Sequence, residues 1–188
     1  MPKPLVIAHR GDSSRALENS LQAFRLAMFI PVDMIEIDVR KSRDDVLYVM
    51  HDERTGRTCG RDITMERSAA EEIAKVKLKN GEPVPTFHDV LSLVAGKVGL
   101  NIEVKGEGAG ALAAAHLAGS GYRGDVLISS FKEREIIDAR RLLPDAPTAG
   151  IFDAFAPSQI RAYRDKGYRI ISLHRKTVTR ELVAALRD

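Results

Sequence analysis

Met34-Ile-Glu-Ile-Asp-Val-Arg40 reads as a strand in which every second position is charged. Side chains two apart on a strand share a face, so Glu36, Asp38 and Arg40 project together while Ile35, Ile37 and Val39 project to the other side. A strand buried on both faces would pay several kcal/mol for each unpaired ion on that charged face. The face therefore needs a counter-charge. A bound divalent cation supplies one, and a network with Arg40 and Lys105 supplies another.

Outward from this stretch, apolar runs alternate with helical patterns. Leu5-Val-Ile-Ala-His9 is a continuous apolar run, as expected of a strand covered on both faces. Leu21, Phe24 and Met28 then recur at helical spacing over 20–29. Strands are predicted over 34–40, 46–51, 99–104, 126–130, 148–151 and 169–173. Helices are predicted over 87–94, 109–118, 133–143, 157–166 and 179–186. Between Asp52 and Gly81 the pattern weakens to a polar excursion with one short helix near 69–75. No internal repeat, low-complexity tract or linker divides the chain, which is expected to be one domain over 1–188.

Strands alternating with helices specify a mainly parallel sheet covered by helices. An open doubly wound sheet and a closed barrel compete. His9, the Glu36/Asp38 pair, His51 and Glu103 fall at or near the ends of the first four predicted strands, and a barrel gathers the C-terminal ends of successive strands around one cavity. A doubly wound sheet would concentrate function at a switch point. The expectation is a (β/α)8 TIM barrel that lacks its eighth strand, with exposed edges beside the first and seventh strands open to association.

The 188 residues suffice for one substantial core. Twenty-nine Lys and Arg against 26 Asp and Glu leave a net charge of only +3, with no Trp and 5% aromatic residues. That is poor material for stacking bases, so nucleic acid is not an expected partner, whereas a small anionic substrate suits the mildly basic surface. Cys59 stands alone, so no intrachain disulfide can form. With no signal-peptide pattern at Met1-Pro-Lys-Pro and no apolar run of membrane-spanning length, the expected address is the cytoplasm.

Glu36, Asp38 and Glu103 offer hard oxygen donors, which suit Mg²⁺, Ca²⁺ or Mn²⁺ better than zinc. His9 and His51, flanking the acidic cluster from separate strands, read as a general acid and general base. Arg10 offers a donor fork and Lys105 a compact charge, a pair suited to phosphate. Lys105 could equally bridge Glu103 or Asp38. Glu18 or Asn19, the latter better, could cap the first helix, while Glu18 could instead support the metal site. His88, His116 and His174 read as structural, and Cys59 has no base beside it.

His9-Arg10-Gly11, Glu18-Asn19, Glu36-x-Asp38, His51-Asp52, Glu103-x-Lys105 and Ser130-Phe131 together resemble the glycerophosphodiester phosphodiesterase family, from His9 to about Leu186. Pro85-Thr86 before a helix and the Leu173 to Leu186 segment also look like the family. The resemblance implies a (β/α)8 barrel that uses a divalent metal to hydrolyse glycerophosphodiesters to glycerol 3-phosphate and an alcohol. Carried over, Glu36, Asp38 and Glu103 hold the metal, His9 and His51 are the acid-base pair, and Arg10 and Lys105 contact phosphate. Leu17, Ser20, Ser42-Arg-Asp-Asp45 and Gly56 depart from the family's usual residues. So do the compact 53–81 excursion and the lack of an eighth strand with its Trp. Two alternatives stand beside hydrolysis: a lyase releasing a cyclic phosphate from phospholipid diesters, and a truncated barrel that binds diesters with little or no turnover.

Overall fold

The structure is a computed structural model and describes residues 3–187; Met1, Pro2 and Asp188, the ends of the expected domain, lie outside the described residues. Its strands are β1 (Ile7–His9), β2 (Met34–Lys41), β3 (Leu47–Val49), β4 (Gly99–Val104), β5 (Val126–Ser130), β6 (Thr148–Phe152) and β7 (Ile170–Leu173). The α-helices are α1 (Leu21–Ala27), α2 (Ala70–Ala74), α3 (Phe87–Val94), α4 (Ala109–Ser120), α5 (Glu133–Leu142), α6 (Ile160–Asp165) and α7 (Arg180–Arg187).

The sheet runs β1-β2-β4-β5-β6-β7, every neighbouring pair parallel. Along this path the strands follow chain order with no reversal, which is barrel winding and excludes a doubly wound sheet, whose order must reverse. One expectation is corrected. β3 is not a barrel strand; it folds back antiparallel on the end of β2, pairing Val49 with Val39 and Leu47 with Lys41. The five residues between β2 and β3 are too few for a parallel crossover, and only a hairpin can span them. Among the described residues the parallel path therefore has six strands, not the seven expected, and β1 and β7 form its edges.

The outward faces of the strands build the main core. Ile35, Ile37 and Val39 of β2, Leu100, Ile102 and Val104 of β4, and Ile128 of β5 pack against Phe24 of α1, Phe87, Val90 and Val94 of α3, and Ala113 of α4. The excursion after β3 is more ordered than its polar sequence implies. Two 3-10 turns (Thr55–Arg57 and Met65–Arg67) and α2 enclose a second cluster of Met50, Cys59, Met65, Ile73, Val76 and Leu78.

Helix α1 is capped by Ser20, whose hydroxyl accepts from Ala23 N at 3.0 Å. This corrects the expected cap at Glu18 or Asn19. Asn19 instead takes a left-handed φ of 53° and turns its amide into the sheet.

Candidate active site at the C-terminal rim

Register builds the site. The ladder between β1 and β2 sets His9 beside Glu36, and that between β2 and β4 sets Asp38 beside Glu103. Because Glu36 and Asp38 share the face turned away from the packed helices, three carboxylates from two neighbouring strands converge. Each contributes an oxygen lying within 4.8 Å of the others. All three residues are buried, with 4%, 0% and 9% of their surfaces exposed for Glu36, Asp38 and Glu103.

Two cations answer them. Lys105 Nζ pairs with Glu103 Oε1 and lies 3.5 Å from Asp38 Oδ1, with the Phe131 ring 5.6 Å from the ammonium. Arg10 Nε lies 3.2 Å from Asp38 Oδ2, and Asn19 Nδ2 donates to the same oxygen at 2.8 Å. Arg10 reaches this place because the chain turns sharply after β1, with left-handed φ at Arg10 (57°) and Gly11 (77°). The turn also aims the Arg10 N–H at Glu36 Oε2, 2.8 Å away. At Gly11 a Cβ would sit 2.8 Å from the Ala23 carbonyl carbon, so a larger residue would push α1 off the site.

Charge is left over. Three carboxylates face two cations, and Glu36 Oε1 is buried without a hydrogen-bond partner. Burial first, then the neighbouring Asp38, pushes the Glu36 carboxyl up to about 8. A buried carboxylate oxygen without a partner is costly, and carboxylate oxygens at this spacing are what a hard divalent cation with ligand distances of roughly 2.0–2.6 Å requires. The residues present fit such an ion.

The remaining expected residues fall as follows. His9 is at the rim, its side chain 66% exposed and Nε2 3.9 Å from Glu36 Oε2. His51 follows Met50, whose N–H donates to Asp38 O at 2.9 Å, and its Nδ1 meets Asp52 Oδ1 at 2.6 Å. Arg40 does not neutralise Glu36 and Asp38. It turns to the excursion, giving Nε to His51 O at 2.9 Å and a terminal nitrogen to Glu66 at 2.7 Å. Of the bland counter-charge network, Lys105 is therefore present and Arg40 absent. Glu18 caps no helix; it accepts from Arg10 and from Arg57. Nothing local in the sequence marks Asn19 as a partner of Asp38, or Arg57 and Glu66 as neighbours of the site. The last two lie in the excursion, where no periodicity indicates what they face.

An acidic cluster interlocked with an arginine and a lysine, at the C-terminal end of barrel strands, can hold a divalent cation beside an anionic group. Comparison with known sequences then settles the family. The chain belongs to the glycerophosphoryl diester phosphodiesterase family, whose sequence profile matches residues 9–179. It is 34% identical over 178 residues to the Bacillus subtilis protein named "Putative glycerophosphodiester phosphodiesterase YhdW", covering 85% of this chain and 72% of that one. It is 35% identical over 155 residues to a glycerophosphodiester phosphodiesterase of Caldanaerobacter subterraneus, covering 76% of this chain and 64% of the relative. The fold matches that of an Oleispira antarctica phosphodiesterase solved with the product sn-glycerol-3-phosphate. That match has a TM-score of 0.88 at 23% identity over 98% of this chain and 80% of the other.

Proposed function

We propose that this chain hydrolyses glycerophosphodiesters to glycerol 3-phosphate and an alcohol, with a divalent ion held by Glu36, Asp38 and Glu103. The observation that carries the reading is that the cation site and the anion-binding side chains are one structure, since Lys105 and Arg10 are both held against Asp38. The names of the relatives point the same way.

The bound ion, Mg²⁺, Ca²⁺ or Mn²⁺, would supply positive charge against the negative charge that develops on the phosphoryl oxygens. The chain's own residues supply the rest. The Lys105 ammonium and the Arg10 guanidinium, held beside Asp38, offer to the phosphate the donors they do not spend on the carboxylates. Attack comes from water, or from the adjacent glycerol hydroxyl to give a cyclic phosphate that water then opens to glycerol 3-phosphate. One histidine accepts the proton of the attacking oxygen, and the other donates a proton to the alkoxide as its bond to phosphorus breaks. His9, exposed at the rim, and His51, oriented by Asp52, take these two parts. Each such transfer is worth roughly 10²- to 10⁴-fold.

The test is hydrolysis of glycerophosphocholine and glycerophosphoethanolamine by the purified chain, in EDTA and then in each of the three ions, following glycerol 3-phosphate. Metal-restored release is expected. A folded chain that releases none with any ion would be a barrel that binds diesters without cleaving them, and a cyclic phosphate product would make it a lyase.

A further inference from the structure

One side chain ties the excursion after β3 to both halves of the site. Arg57 ends the 3-10 turn Thr55–Arg57 and gives Nε to Asp52 Oδ2 at 2.5 Å. Its two terminal nitrogens reach the two oxygens of Glu18 at 2.9 and 2.6 Å. Asp52 holds His51 through the 2.6 Å contact to Nδ1. Glu18 holds Arg10 at 2.9 Å, and Arg10 lies against Asp38. The line His51, Asp52, Arg57, Glu18, Arg10, Asp38 is thus unbroken, joining the end of the β3 hairpin to the turn between β1 and α1.

A guanidinium suits the central link, because its planar fork gives two parallel bonds to Glu18 and a third from another edge to Asp52, an arrangement that the single nitrogen of an ammonium does not reproduce. The link also holds in place the group that sets a proton position. The Asp52 carboxyl is ionised at neutral pH even at its ordinary value, so it only accepts, and Arg57, whose hydrogen bond lowers it further to about 2, keeps it against His51 Nδ1. Neutral His51 must then carry its proton on Nδ1, leaving the Nε2 lone pair free.

We propose that Arg57 is a positioning residue of this site: by bridging Asp52 and Glu18 it fixes His51 in the Nδ1-protonated tautomer and holds the Arg10 guanidinium beside Asp38. The effect on turnover rests on the hydrolase reading; the effect on the tautomer does not.

The experiment compares the full chain with Arg57→Gln and Arg57→Lys, reading the His51 ring nitrogens by ¹⁵N NMR at neutral pH together with kcat and KM. Wild type is expected to show Nδ1 protonated. Arg57→Gln is expected to show mixed tautomers and a kcat lowered about 10- to 100-fold, with KM changing less, the usual cost of losing a partner that orients a site residue. Arg57→Lys, which keeps the charge and loses the planar fork, should fall between and keeps the test alive if the glutamine variant does not fold. Wild-type Nδ1 protonation in the folded variants overturns the proposal whatever turnover does, and so does a changed tautomer with unchanged kcat. If the wild-type chain cleaves no diester, the hydrolase reading falls, and the NMR result alone decides the role of Arg57.

Discussion

Asp38 on β2 and Glu103 on β4 are direct partners across a parallel ladder, two buried carboxylates in adjacent strands that share the single ammonium of Lys105. Such a pairing is unfavourable without added positive charge, and several measurable consequences stem from that deficit.

Divalent ions should stabilise the folded chain. Binding to the native state alone contributes about 2.7 kcal/mol at a hundredfold excess over Kd, so Mg²⁺, Ca²⁺ or Mn²⁺ should raise Tm above its value in EDTA. Glu36→Gln, which puts a neutral amide where burial raises the carboxyl to about 8, should leave Tm in EDTA unchanged or higher and abolish the metal-induced rise. An equal rise in the variant would place the ion elsewhere.

Replacing His9 or His51 with Ala should lower kcat by roughly 10²- to 10⁴-fold, the range for loss of one general acid or base. Metal affinity, read by calorimetry, should stay near wild type, because neither ring belongs to the carboxylate cluster. A variant with unchanged turnover removes that histidine from the mechanism.

Acid should weaken the bridge at Arg57. The Asp52 carboxyl is depressed to about 2 by Arg57, and Glu18 is lowered chiefly by the same side chain. A depressed carboxylate stabilises the fold at pH values above its unfolded pKa of roughly 3.9, and that stability drains away as pH falls toward the folded value. Between pH 5 and about 2, denaturant titrations should show wild type losing more stability than Asp52→Asn. Parallel losses in the two proteins would show that Asp52 is not part of the acid response.

Gly110→Ala should be destabilising although Gly110 lies within α4, where the exchange ordinarily gains about 1 kcal/mol. A Cβ there would sit 2.3 Å from the backbone oxygen of Glu135, forcing α4 and α5 apart. The expected cost is about 1–3 kcal/mol, typical of overpacking, by chemical denaturation. A stabilised variant would mean that the two helices slide apart easily.

What could be read from the chain alone were the features that repeat locally. The period of two along 34–40 assigned Glu36 and Asp38 to one face and Ile35, Ile37 and Val39 to the other, and these residues occupy those faces. The alternation of strands and helices left an open sheet and a barrel in competition, and the polar residues at the ends of successive predicted strands pointed to the barrel. The cap of α1 was misplaced because Asn19 and Ser20 are both good capping residues; the choice falls to Ser20 only because the amide of Asn19 is needed by buried Asp38.

By itself the sequence determined which side chains share a strand face and which residue types could hold a cation or an anion, because strand and helix periodicity and donor chemistry are properties of short stretches. Only the tertiary structure decided that β3 turns back as a hairpin and that Asp38 stands beside Glu103. It alone turned Arg40 to Glu66 and set Arg57 between Asp52 and Glu18. Those choices are made by register and by competition among charges tens of residues apart: a buried carboxylate takes whichever cation the fold brings within reach, and no local pattern records which one that is.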